Sequence, residues 1–141
     1  MKCLLDTCLL SELVKPTPDA SVLAWMARQS PTNLFISAMT LGELRRGVAK
    51  LPPSRRRNQL SAWLVQVEAG FEDRVLPFTQ ATASVWAQMC ARTEAKGRPM
   101  AAFDSIIAAT ALELGLAVVT RNEPDFEPAP LLLINPWRSE P

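Results

Sequence analysis

A chain of 141 residues with 48% hydrophobic content and mean hydropathy +0.07 has the material for one soluble domain with a full core. Its net charge of +1 gives no global basic or acidic field, and its complete lack of His and Tyr excludes Ser-His-Asp, Cys-His and His-ligated zinc or iron chemistry. Three cysteines without a CxxC pair exclude a disulfide framework, and no apolar run approaches the roughly 20 residues of a membrane span. The start MKCLLD has no signal-peptide pattern, because Asp6 interrupts it at once, so the expected location is the cytoplasm.

In chain order, residues 2–5 read as a short buried strand and 9–14 as a helix that Pro16 stops. Asp19 is placed to cap a helix over 20–29, and Leu34-Phe35-Ile36 reads as a second strand. Residues 39–51 repeat Leu41, Leu44, Val48 and Leu51 at helical spacing before Pro52-Pro53. A helix over 55–69 turns Leu60, Trp63, Leu64 and Val67 inward, with Gly70 expected to close it. Val75-Leu76 is a short strand, and 79–96 a helix ended by Gly97. The strongest helical pattern is 101–114, with Ile106, Ile107, Thr110, Ala111 and Leu114 on one side and Gly115 as its C-cap. Residues 117–119 and 131–134 are apolar strands. Strands alternating with helices across 1–141 predict a single α/β domain, a parallel sheet with helices on both faces.

Asp6 interrupts the apolar run CLLDTCLL, where an unpaired charge would cost several kcal/mol. A hydrogen-bonded turn, a cation or a metal must hold it. It falls at the carboxyl end of the first strand, the edge at which open parallel sheets bind ligands. Glu43 lies in the first turns of the helix after the second strand, within TLGELRRGV. Asp104 starts the 101–114 helix, in MAAFDSIIAATAL, and Asp125 follows the 117–119 strand, in VVTRNEPDF. Each alone reads as a cap or surface acid; together they are placed to converge on one crevice. Glu12, Asp19, Glu68, Glu72, Asp73, Glu94, Glu113, Glu123, Glu127 and Glu140 read instead as solvated residues or caps. Clustered carboxylates repel, and Mg²⁺ or Mn²⁺ relieves this, since hard divalent ions take oxygen ligands and activate water. On this reading, Asn at position 6 or 104 relieves repulsion and leaves the metal-free fold intact or firmer.

The stretches LLDTCLLSEL, LGELRRGV, FDSIIAATAL and VVTRNEPDF, with the ending LLLINPW, resemble the PIN-domain ribonucleases. The likeness is greatest to the toxins of VapBC-type toxin–antitoxin modules, especially the FitB-like branch, and spans nearly the whole chain. The resemblance implies a mostly parallel five-stranded sheet between helices. It also implies that Asp6, Glu43, Asp104 and Asp125 coordinate Mg²⁺ or Mn²⁺ and activate water for RNA cleavage. One departure is LDTC, where the family usually has LDTN, so Cys8 replaces an Asn that orders the turn. The implied partners are an RNA substrate, a VapB- or FitA-like antitoxin that carries the complex to operator DNA, and a second copy of the chain.

Leu9, Leu13, Trp25 and Trp63 are candidates for an antitoxin groove or for ordinary core, and Val85, Met89 and Ala95 for a homodimer face. Arg55-Arg56-Arg57, with Arg45, Arg46 and Lys50, offer phosphate contacts or a solvated helix face. A receiver domain wants an adjacent acidic pair where only Asp6 stands, and a haloacid-dehalogenase-type phosphatase wants an Asp where Cys8 stands. A catalytically silent PIN scaffold is the alternative from a different class.

Overall fold

In the computed structural model, which describes residues 1–138, five short strands form one parallel sheet in the order β3-β2-β1-β4-β5. These are β1 (Cys3–Leu5), β2 (Leu34–Ser37), β3 (Val75–Leu76), β4 (Ala117–Val119) and β5 (Leu133–Ile134). Seven helices join them: α1 (Thr7–Leu13), α2 (Ala20–Ala27), α3 (Ala38–Ala49), α4 (Arg55–Phe71), α5 (Gln80–Ala95), α6 (Ala102–Leu114) and α7 (Glu123–Phe126). Glu140 lies outside the described residues. No helix among them is long and apolar enough to cross a membrane.

Strand alternation sorts the core into two layers. Cys3, Leu5, Ile36, Ala117 and Val119 pack on one side with Leu9, Leu10, Val22, Trp25, Leu44, Val48 and Leu64. Leu4 and Val118 face the other side, against Met89, Ile107, Ala108, Ala111 and Phe126. Both faces are therefore covered, as near-continuous apolar strands require. The strand order reverses around β1, whose neighbours are β2 and β4. Open parallel sheets bind ligands at such a reversal, here the carboxyl ends of β1 and β4.

Most predicted boundaries hold within a few residues, and the exceptions have local causes. Gly70 lies inside α4, which runs on through Phe71 and ends at Glu72, a residue at φ 51°. The Arg74 guanidinium secures that exit by donating to the carbonyls of Gly70, Leu34 and Pro31. Gly115 does cap α6, with φ 68° in the left-handed region that a Cβ disfavours. The last strand is only Leu133–Ile134, and α7 is a short helix where none was expected.

Three acids expected to be solvated are not. Glu12 is 5% exposed and accepts from Lys15 Nζ (3.0 Å), the Asp19 amide (3.1 Å) and Trp137 Nε1 (3.2 Å). The Lys15 ammonium holds its carboxyl below the usual range, helped by the Asp19 and Trp137 N–H donors against the cost of burial. Glu113 is half-buried and accepts from the Thr82 hydroxyl at 2.6 Å, and Glu123 receives the Asn135 amide and pairs with Arg138. Leu9 and Trp25 are core residues, while Leu13 and Trp63 pack partly buried against them. Met89 is also core, so on α5 the outward large apolar residue is Trp86 rather than Met89.

Candidate active site

Asp6 follows β1 directly, its amide donating to the Val119 carbonyl of β4 at 3.0 Å, so sheet pairing fixes its backbone. Its side chain is the N-cap of α1, with Oδ1 accepting the Thr7 amide at 2.8 Å. Oδ2 accepts the Thr120 hydroxyl at 2.8 Å and faces the Cys8 thiol at 3.5 Å. At 6% exposure, Asp6 is therefore a buried carboxylate with both oxygens satisfied, and it caps α1 at the carboxyl end of β1.

Thr120 is fully buried and bridges two loops, since its hydroxyl also accepts the Asn122 amide at 3.0 Å. Sequence reasoning missed it; the signal was a Thr immediately after a strand paired with the Asp6 strand. Thr7 does the corresponding work for Glu43, donating to Oε1 at 3.0 Å from the start of α1 to the second turn of α3. Ser37, the N-cap of α3, holds Thr40 at 3.1 Å, which steadies that helix start.

Asp104 lies in the first turn of α6, whose N-cap Ala101 offers no side-chain hydrogen bond. Asp125 sits in α7, which the fully buried Phe126 anchors with about 2–3 kcal/mol of apolar burial. Neither carboxylate receives a hydrogen bond from the described residues, and Asp125 is exposed. Burial raises the Asp104 carboxyl to about 6, with further upward pushes from Asp6, Asp125 and Glu43 in that order. Asp104 thus feels the charges of the other three predicted acids, after its own burial. Among the described residues, no three acidic or thiol groups already stand close enough together to grip an ion.

Cys8 fills the position after Thr7 without breaking the turn. Its sulfur accepts the Arg121 amide at 3.5 Å and lies 3.7 Å from the Thr120 hydroxyl. Burial, and then the Asp6 charge, push its thiol up to about 11, so it stays a neutral S–H. The site thus presents carboxylate oxygens as its ionised donors. That donor set matches a hard divalent cation and does not match zinc or iron–sulfur chemistry.

The chain matches the PIN domain over residues 3–128. It is 41% identical over 137 residues to the VapC ribonuclease Y4jK of Sinorhizobium fredii, covering 94% of this chain and 96% of that one. It is 38% identical to Toxin FitB of Neisseria gonorrhoeae, covering 95% and 97%. A solved structure of FitAB bound to an IR36 DNA fragment superposes with TM-score 0.94 at 35% identity, covering 99% and 98%.

Proposed function

The chain belongs to the PIN-domain family, and from that premise we propose that it is the ribonuclease toxin of a VapBC-type toxin–antitoxin pair, dependent on Mg²⁺ or Mn²⁺. The observation that carries this reading is Asp104, raised to about 6 in part by the charges of Asp6, Asp125 and Glu43. Carboxylates that feel one another's charge either take up protons or share a cation, and a hard divalent ion at the carboxyl edge of the sheet would let all four stay ionised.

Asp6, Glu43, Asp104 and Asp125 are the residues that would hold the ion. When bound, it supplies a more acidic water and positive charge for the phosphodiester oxygens. The protein's own residues do the positioning. Thr7 and Thr120 fix Glu43 and Asp6 before any ligand arrives, so those oxygens need no reorganisation. Asp104 and Asp125, without donors among the described residues, are the carboxylates able to adjust to an ion.

The partners follow from the relatives named VapC and FitB and from the FitAB–DNA complex: a cognate antitoxin, through which the pair reaches operator DNA. The outward Trp86 and Phe103, on α5 and α6, are apolar material for a homodimer. Purified chain should cleave RNA with Mg²⁺ or Mn²⁺ and stop in EDTA; full cleavage in excess chelator would sink the mechanism. Expressed alone it should arrest growth, and co-expression with the neighbouring gene should yield an inactive complex. A folded, soluble chain that neither cuts RNA nor slows growth would instead fit a silent scaffold.

A further inference from the structure

Residues 45–57, RRGVAKLPPSRRR, carry six of the chain's fifteen Lys and Arg and no acid, so the small net charge conceals a strongly positive segment. The structure divides these six. Arg45 is engaged with Glu68 of α4, and Arg57 is half-buried. Arg46, Lys50, Arg55 and Arg56 are exposed, and none forms an ion pair among the described residues.

Two features set them apart from a solvated helix face. Arg46, in the last turn of α3, and Lys50, its C-cap, stand three and seven residues after Glu43, so they continue the side of the helix that carries Glu43. At about 1.5 Å per residue, Lys50 lies roughly 10 Å along the helix axis from Glu43. Arg55 and Arg56 occupy the first turn of α4, where the helix dipole disfavours cations, and no acid in that turn offsets them. Arg56 reaches the Val14 carbonyl at 3.5 Å, whereas Arg55 has no side-chain partner among the described residues, and a local rule broken without an intramolecular gain points to a functional surface.

We infer that Arg46, Lys50, Arg55 and Arg56 form a phosphate track that carries the RNA backbone from the Glu43 side of the cleft along α3 to the start of α4. This rests on the ribonuclease reading above. Continuity with the carboxylate cleft favours RNA over an acidic protein segment as the occupant, because a cut strand must leave the cleft along some surface.

The test measures binding without cleavage. Asp104→Asn full-length chain, free of divalent metal, is titrated with a fluorescein-labelled unstructured RNA of about 20 nucleotides over a range of salt concentrations. In that background Arg46→Gln/Lys50→Gln/Arg55→Gln should weaken binding at least about tenfold near 0.1 M salt and flatten the log–log salt slope by about 2, roughly 0.7 per lost contact. Arg92→Gln/Lys96→Gln/Arg98→Gln, which removes the same charge around the end of α5, should change affinity less than about twofold. Equal losses in the two triple variants overturn the track, as do RNA affinity unchanged by the first triple and absence of RNA binding in the parent. Loss of antitoxin capture with RNA affinity intact also overturns it and assigns the face to protein. A wild-type chain that never cuts RNA defeats the ribonuclease reading separately, since the track is judged by binding alone.

Discussion

On the β1–β4 side of the cleft, Asp6 has both carboxylate oxygens engaged by protein donors and Glu43 is held by Thr7; on the α6–α7 side, Asp104 and Asp125 receive no hydrogen bond from the described residues. The first half is wired into the fold, as cap, strand pairing and buried hydroxyl together. The second is placed by helix positions but left electrostatically exposed to the first. A carboxylate in the wired half contributes to stability through its bonds, whereas one in the open half costs stability through repulsion. On the proposed function both halves serve the same chemistry, so activity and stability should separate when they are mutated.

The largest expected effect falls on cleavage and does not distinguish the halves. Asp6→Asn and Asp104→Asn should each lower RNA cleavage by about 10²–10³-fold or more, as loss of a preorganised charge at a reacting centre does. Glu43→Gln should be similarly damaging, and Asp125→Asn, on an exposed residue, milder. Single-turnover rates at saturating metal measure this. Near-wild-type turnover in either Asn variant would remove that residue from the site.

Stability then splits the halves. Asn at position 6 keeps an oxygen for the Thr7 amide but turns an NH₂ toward the buried Thr120 hydroxyl, which loses the carboxylate oxygen that received its proton. A cost of about 1–3 kcal/mol follows, against the sequence-based expectation that such a change leaves the fold intact or firmer. Thr120→Val should cost a similar amount by stranding Asp6 Oδ2 and the Asn122 amide. Urea midpoints in metal-free buffer decide it; variants as stable as wild type would mean that Asp6 is not wired as described.

Much of this division was legible from sequence. Asp6 and Asp104 stand out as acids within apolar runs, and alternating strands and helices placed them at the right edge. What was not legible depends on distant partners. Glu12 looks like a solvated helix residue until Trp137 and the Asp19 amide reach it, and Trp137 is 125 positions away in sequence. Thr120 looks like a loop residue until β4 is paired beside β1. Gly70 misled for a local reason, since the C-cap rule names a favoured residue while Arg74 here secures the exit.

In the open half the sign reverses. Folded Asp104 titrates at about 6 and an unfolded Asp near 3.8, so between these values the folded state holds a proton that the unfolded state has released. Metal-free stability should therefore fall as pH rises from about 4 to 6 and carry the full penalty above that window. After discounting for solvent screening, the penalty is about 1–2 kcal/mol. Asp104→Asn should remove this pH dependence and raise the metal-free Tm by about 3–6 °C near neutral pH. Added Mg²⁺ should stabilise wild type more than the variant, because binding to the folded state adds stability by mass action. Wild-type and Asp104→Asn profiles of equal slope across that window would show that burial and the neighbouring charges do not raise Asp104.

The smallest effect returns to the wired half and to Cys8. Its thiol faces Asp6 Oδ2 at 3.5 Å, a weak and long donor beside the 2.8 Å hydroxyl of Thr120. Losing it should matter less than losing Thr120, so Cys8→Ala should cost under about 1 kcal/mol and lower cleavage only a few-fold, with Cys8→Ser intermediate. The same surroundings make a second reading available. A thiol pushed up to about 11 presents little thiolate at pH 8, so alkylation of Cys8 by iodoacetamide should be much slower than that of a free cysteine with pKa near 8.5. Asp6→Asn removes one of the two largest causes of that rise, the neighbouring negative charge, and should therefore speed alkylation even as it halts cleavage. Mass spectrometry of the Cys8 peptide over a time course measures both rates. Equal rates in wild type and Asp6→Asn would mean that the Asp6 carboxylate does not govern its neighbour, and the close coupling of the wired half would fail at its weakest bond.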